Sequence, residues 1–581
     1  MSIRQQIVEQ LEAVLKGLGV EDVKPVVDYP ADPKHGDYSS NVALVAAKKL
    51  GKNPMEVGEE IAVKFRIQNS EFRIEVVRPG FVNFWVSDEA LIDTLYNSTK
   101  YFDTSGAGEK KGKVVVEYSS PNIAKPFTLG HLRPTIIGDA VANLLEATGW
   151  EVYRDNHVGD WGTQFGKQIY AIKEWGSEEE IERAERPVKM LVDLYVKFHE
   201  EAEKHPEIED KAREWFKKLE QGDEEARRLW QKCIDWSWKE FDAIYQKLGI
   251  EFTENNGRGY GESYFEDKMQ PVIQELEEKG LLKQGEEGAK LIFFPNEEYP
   301  PLMILKKDGS SLYSTRDLAT DKFRLEKYGK DILVINAVGA EQSLYFQQIY
   351  KLEEMLGWYK KEQRVHIKNG LYRFADQKMS TRKGNVIWLE DVLEEAVERA
   401  KKLGEDVDAK TAEVVAIGSI KWNDLKRESR QDIVFDWDDI LNMQGNSGPY
   451  LQYTFARTQS VLRKAGIRHS GDERSEDSRI PNVRDSGQAR MTGLEIEERE
   501  VLRLLARFEE TVQEAAQRYA PHTLCTYLFE LAQVFNLFYQ KLPILKADRD
   551  VREFRVVLTQ KTGEVIQKGL ELLGIQAPEK M

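Results

Sequence analysis

Glu117–Lys125, EYSSPNIAK, running into Pro126–Asp139, PFTLGHLRPTIIGD, holds the residues best suited to chemistry. Ser119, Ser120, Pro121 and Asn122 are turn formers placed between a strand pattern and a helix pattern. A strand that feeds a helix N-terminus is a natural anion site, because free N–H groups and the helix dipole point out of it. Gly130 lets a phosphate come close to the backbone, and His131 puts an imidazole beside it. Downstream, Lys378–Asn385, KMSTRKGN, reads as a cationic loop whose Lys378, Arg382 and Lys383 can neutralise a triphosphate. When a carboxylate attacks an α-phosphate, cations aimed at the developing charge matter by about 10²–10³ in rate each.

The elements that must position these groups are legible nearby. Lys113–Tyr118 is apolar and β-branched, as a buried parallel strand requires. Leu132 to Thr148 shows helical spacing, with Ile136, Ile137, Val141, Leu144 and Leu145 on one face. Glu151–Val158, Asp331–Val338 and Gln363–Leu371 are further strand candidates, and strand–helix alternation predicts a parallel α/β sheet with a right-handed βαβ unit. Glu178–Tyr245 is densely charged with helical spacing and reads as a helical insertion. Before the sheet, Ile7, Leu11, Val14 and Leu15 predict an amphipathic opening helix, Val42–Leu50 a second, and Phe72–Val86 two strands around Pro79-Gly80. Thr104–Lys113 reads as a linker. After Gly448 the strand signal ends, and Leu451–Lys464, Val501–Tyr519, Thr523–Leu542 and Arg552–Leu573 read as helices, with His469–Gly493 a long loop.

A chain of 581 residues favours several domains. No run of about eighteen apolar residues predicts a membrane span, and Met1–Lys16 carries Arg4, Glu9 and Glu12, unlike a signal peptide. Cys233 and Cys525 are far apart, so neither a zinc cluster nor a disulfide framework follows, and a reducing cytoplasm is the simple expectation. The net charge of -17 speaks against indiscriminate nucleic-acid binding, while leaving room for one basic face.

The two chemical stretches together resemble the HIGH and KMSKS signatures of class I aminoacyl-tRNA synthetases. EYSSPNIAKPF is more specific and resembles the arginyl-tRNA synthetases. HVGDWGTQFG (His157–Gly166), YSTRDLA (Tyr313–Ala319) and VGAEQSLYFQQ (Val338–Gln348) resemble three further blocks of that family, with Tyr345 where the last usually has His. HGDYSSNVAL (His35–Leu44), LQYTFARTQSVLRKAG (Leu451–Gly466) and the ending LGIQAPEKM extend the resemblance to both flanks. It departs at Thr128 and Pro134, where the family usually has His and Ser, and at Thr381, in place of the second KMSKS lysine. Pro134 is expected in the first helical turn, where a missing N–H is tolerated, and Lys125 is the compensating cation.

The resemblance implies an α/β chain: a Rossmann-like parallel-sheet catalytic domain over 104–447 with a helical insertion near 175–250, a small α+β N-terminal domain over 1–103 that binds the tRNA elbow, and an all-α anticodon-binding domain over 448–581. It implies an arginine–tRNA ligase that consumes ATP with Mg2+, acts as a monomer in the cytoplasm, and activates arginine only with tRNA bound. By resemblance, His131, Lys125, Lys378 and Lys383 are catalytic, and Thr128, Gly130, His131, Lys378, Ser380 and Arg382 hold ATP. Glu117, Asn122, Glu262, Tyr313, Asp317 and Gln342 hold arginine, Tyr313 and Asp317 sharing a face if their segment is helical. Arginine suits such a site: a planar guanidinium with five donors needs forked acidic partners. Lysine lacks the fork, and sites built on hydrogen bonds reject such analogues by about 10⁴–10⁵ without editing. Tyr38 and Asn41 near the N-terminus, and Arg457, Arg463 and Lys464 after the sheet, are the expected tRNA contacts. The rival readings are a catalytically inactive synthetase-like RNA-binding protein, for which Thr128 argues, and a class I nucleotidyl transferase acting on a small molecule.

Overall fold

Four parallel strands form the centre of the computed structural model: β1 (Gly112–Glu117), β2 (Trp150–Asp155), β3 (Leu333–Gly339) and β4 (Arg364–Asn369), in the order β4-β3-β1-β2. The structure describes residues 2–30, 32–68, 71–97, 111–285, 288–307, 312–373, 387–404, 407–467 and 493–581. Val114, Val115 and Val116 are fully buried, which accounts for the unbroken β-branched run in β1. Helix α1 (Leu129–Ala147) joins β1 to β2. It packs close to β1, since a Cβ on Gly138 would lie 2.2 Å from that of Tyr118. The carboxyl ends of β1 and β2 stand level, with Glu117 paired to Asp155 on one side and to Asn336 on the other, and β3 runs on beyond them to Gly339. Open α/β sheets bind ligands at that edge.

The insertion is helical: Glu178–Arg183, Pro187–Lys204, Glu207–Glu220 and the long α2 (Glu224–Leu248). The buried face of α2, including Trp238, Phe241 and Tyr245, closes over the turn between β1 and α1. A three-stranded antiparallel sheet (Leu282–Gln284, Lys290–Ile292, Leu302–Leu305) precedes helix α3 (Tyr313–Tyr328), and these short strands gave no sequence signal.

On the N-terminal side, the helix Ile3–Lys16 buries Ile7, Leu11, Val14 and Leu15, and Phe72–Val77 pairs with Phe81–Val86 as a hairpin within a four-stranded antiparallel sheet. On the C-terminal side, Gly448–Ala465, Pro521–Lys541 and Arg549–Leu572 are helices. Val501–Tyr519, read as one helix, belongs to two: Ile496–Leu505 and Phe508–Gln517. The break falls at Arg507, whose guanidinium stacks on Tyr29 at 3.9 Å and donates to the Asp37 carbonyl, tying the two ends of the chain together. The linker reading of Thr104–Lys113 is corrected at its end, where Gly112 and Lys113 already belong to β1; its residues 104–110 lie outside the described residues. So does the loop expected over His469–Gly493, except for Gly493.

Candidate active site

The turn after β1 is backbone under strain. Ser119, Ser120 and Ala124 all have positive φ (75°, 48° and 57°), a conformation that costs roughly 1–3 kcal/mol at each non-glycine residue. Neighbours from distant sequence hold it. The Ser119 hydroxyl meets Tyr245 Oη at 2.8 Å, Asn156 Oδ1 accepts from the Ser120 N–H at 3.0 Å, and Ser237 Oγ accepts from the Ala124 N–H at 2.9 Å. Asn122 lies in this turn, bridged to Gly159 after β2.

The turn delivers the chain to α1, whose first residues present the phosphate-binding candidates. Gly130 is exposed at the surface, and the Thr128 N–H donates to His131 Nδ1 at 3.0 Å. That bond makes Nδ1 an acceptor, so the neutral ring carries its proton on Nε2. Burial, helped by the charge of Lys125, pushes the imidazole down to about 4, so His131 is a neutral hydrogen-bond donor at physiological pH. Thr128 is buried with its hydroxyl 3.0 Å from the same Nδ1. It orients His131 from behind. Pro134 is the sixth residue of α1, which corrects its placement in the first turn. There it removes the helical bond to the carbonyl of Gly130, four residues back. Lys125 is half-buried, which depresses its basicity, while Glu262 acts in the opposite sense. It therefore senses both the His131 side and the acidic side of the site.

Lys378, Ser380, Arg382 and Lys383 lie outside the described residues, as does the whole KMSTRKGN segment. Its flanks are fixed on α1. Leu129 N–H donates to the Ile387 carbonyl and Leu389 N–H to that of Phe127, at 3.3 and 3.0 Å. On the other flank, the Tyr372 hydroxyl and the buried Arg133 guanidinium of α1 both bond to Asp424.

The acidic side of the candidate site is built from buried charge. Arg324 of α3 pairs with Glu117, with Asp155 at 2.8 Å and with Asp321 at 3.1 Å. Arg364 of β4 pairs with Asp321 at 2.6 Å and Glu353 at 2.9 Å. Against burial, Arg324 and His157 hold Glu117 below the usual carboxylate range, and Arg364 and Arg324 do the same for Asp321. Burial raises Glu353 well above that range, against the pull of Arg364. Four carboxyl groups thus surround two guanidiniums, and this acidic excess favours a cationic ligand.

Above this layer, Tyr313 and Asp317 occupy the same end of α3, as expected for a helix. Tyr313 is exposed, with its ring 4.9 Å from that of Tyr345. Tyr345 donates its hydroxyl to Asp317 Oδ2. Asp317 Oδ1 faces His157 Nε2 at 3.8 Å, and burial raises the carboxyl above its ordinary value. Glu262 pairs with Arg316 at 3.1 Å, and burial raises it too. Gln342 is exposed in the turn between β3 and the helix Ser343–Leu356. Glu117, Asn122, Glu262, Tyr313, Asp317 and Gln342 thus come from segments that converge on the carboxyl edge of the sheet, although Glu117 is engaged by Arg324 and Glu262 by Arg316. His157 and Tyr345 lie inside the HVGDWGTQFG and VGAEQSLYFQQ segments but are not among the expected site residues, and no local pattern marks Arg324.

The expected RNA contacts are dispersed. Tyr38 is 2% exposed, its hydroxyl 3.2 Å from Glu510 Oε1, so it offers RNA no surface and instead holds the two ends of the chain together. Asn41 is exposed at the start of the helix Val42–Leu50. Arg457 lies between the rings of Tyr453 and Tyr539 and donates to Asn536, Arg463 donates to the Glu579 carbonyl, and Lys464 is exposed.

Residues 91–437 match the family model described as tRNA synthetases class I (R), catalytic domain. Residues 1–86 match the arginyl tRNA synthetase N terminal domain, and 451–581 the DALR anticodon binding domain. Parallel sheet, strained turn and matched catalytic region together define a class I tRNA synthetase. The arginine–tRNA ligase of Halothermothrix orenii is 38% identical over an alignment of 597 positions covering 100% of both chains, and that of Clostridium perfringens is 39% identical, covering 97% of each. The Thermus thermophilus arginyl-tRNA synthetase structure superposes with a TM-score of 0.81 at 25% identity, covering 100% of both chains, and that of Plasmodium falciparum with 0.81 at 26%, covering 100% of this chain and 99% of its own. The chain belongs to the arginyl-tRNA synthetase family.

Proposed function

We propose that this chain is an arginine–tRNA ligase. The observation that carries the reading is an acid-rich pocket around Asp317 and a neutral, proton-donating His131 at a helix N-terminus, with Lys125 acting on both His131 and Glu262. In the proposed reaction the arginine carboxylate attacks the α-phosphorus of ATP, a new C–O–P bond forms, and the bond to pyrophosphate breaks. The 2′-hydroxyl of the terminal adenosine of tRNA then attacks the arginyl carbonyl and AMP leaves. Asp317, Tyr313 and Glu262 would receive the guanidinium, while Asn122, Gln342 and Glu117 would serve the amino and carboxylate end. His131 Nε2–H, the backbone at Gly130 and the half-buried Lys125 would stabilise the phosphates, completed by Lys378, Ser380, Arg382 and Lys383. Magnesium would arrive on the ATP oxygens.

The same reading gives 1–103 to the tRNA elbow through Asn41, 104–447 to catalysis, and 448–581 to the anticodon through Arg457, Arg463 and Lys464. These local cations would meet RNA on a body of net charge -17. We place the enzyme as a monomer in the cytoplasm; among the described residues no helix is long and apolar enough to cross a membrane. Arginine-dependent ATP–pyrophosphate exchange, with and without tRNA and with lysine as control, tests the proposal. Exchange with arginine and tRNA together is the expected result. A folded, tRNA-binding protein with no exchange under any condition would establish the inactive RNA-binding reading.

A further inference from the structure

His157 sits where neither the phosphate chemistry nor the expected arginine ligands account for it. It follows β2 and packs against Phe265, with ring centroids 5.8 Å apart. Its Nδ1 lies 2.9 Å from the carbonyl oxygen of Tyr260. A carbonyl only accepts, so Nδ1 carries a proton. The other nitrogen, Nε2, is buried without a hydrogen-bond partner and faces Asp317 Oδ1 across 3.8 Å, too far for a hydrogen bond. Tyr345 occupies the other Asp317 oxygen, which leaves Oδ1 facing Nε2. A buried ring nitrogen left open beside a carboxylate in this way calls for a ligand group.

We propose, resting on arginine as the amino acid of this pocket, that His157 Nε2 in its neutral form accepts a hydrogen bond from the substrate guanidinium opposite Asp317, so arginine binds with release of the His157 proton. The groups facing the ring set that proton's grip. Glu117 from β1, Asp317 from α3, and Glu262 and Asp160 from the segments beside β2 are acidic; Arg324 opposes them. Burial disfavours the imidazolium, but the carboxylates prevail and the ring titrates above its ordinary value. Without substrate, the protonated ring partly neutralises Asp317. A guanidinium cannot share the gap with an imidazolium, and so displaces the proton. His157 would be a specificity device as well: a neutral imidazole between carboxylates gives a planar, multi-donor cation one more acceptor than a lysine ammonium reaching the same depth can use.

The test is calorimetric titration of the full-length protein with arginine in two buffers of different ionisation enthalpy, from pH 5.5 to 8.5. The parent should release a fraction of a proton near neutrality, and its affinity should fall about tenfold per pH unit on the acid side. His157→Gln can still donate to the Tyr260 carbonyl. It should bind arginine with that release abolished and a flat profile over the same range, while Asp317 and Glu262 remain in place. Arginine binding by the parent without proton exchange would overturn the inference from the parent alone, whether or not the variant folds. Equal release by parent and variant would overturn it too, leaving the arginine reading intact. A parent that binds no arginine would overturn both.

Discussion

The two halves of the site solve opposite electrostatic problems with different materials. Around His131 the groups are neutral or only weakly held in charge: an Nε2–H imidazole pushed down to about 4, a strained turn, an exposed glycine and a half-buried lysine. Around Asp317 the groups are buried ions fixed in pairs, with Arg324 bridging Glu117, Asp155 and Asp321. On the proposed reading, the phosphate half must stabilise charge that develops and then departs, which oriented dipoles serve better than permanent pairs. On the same reading, the amino-acid half must reject a near neighbour in the ground state, a task suited to fixed acceptors.

The contrast is broken most sharply at Asp317. Asp317→Ala should lower arginine-dependent exchange roughly 10³-fold or more, because a buried cation would lose its partner, while tRNA binding measured by gel shift stays near the parent's. Equal exchange in variant and parent would sink the pocket assignment. Arg324→Met should cost about 3–5 kcal/mol of stability in denaturant unfolding, since three carboxyl groups lose their common partner. An unchanged unfolding midpoint would mean that the charge layer is not the frame of that half.

Acid should separate the halves. The lowered His131 means the unfolded chain binds its proton first, so stability falls as pH drops from 6.5 toward about 4. That slope should be absent in His131→Asn. Glu117 and Asp321 titrate below their ordinary values, so their contribution is present above the normal carboxylate range and is lost only as pH falls through their lower folded values. Urea unfolding at intervals between pH 7 and pH 3 resolves the two windows. The smallest effects are expected at Thr128. Thr128→Val removes the hydroxyl beside His131 Nδ1 but keeps the backbone donor, and should slow turnover only about 3–10-fold. Thr128→His should stay within about the same range; a gain of several orders of magnitude would mean that the native chain is a crippled enzyme.

Sequence by itself determined the strand–turn–helix at 112–147, the order of the parallel strands along the chain, and the residue types at the phosphate edge. These rest on local rules: β-branched runs, turn formers, helical spacing and a glycine beside a histidine. Only the tertiary structure decided which acids are free. Glu117 and Arg324 lie 207 positions apart, and nothing local signals their pairing, just as nothing local places Tyr345 on Asp317 or leaves His157 Nε2 open. The same holds for Tyr38, whose motif promised an RNA contact and whose ring is buried against a helix 472 positions away. Short-range backbone preferences can be read along a chain; the protonation state and availability of a side chain depend on neighbours that only folding assembles.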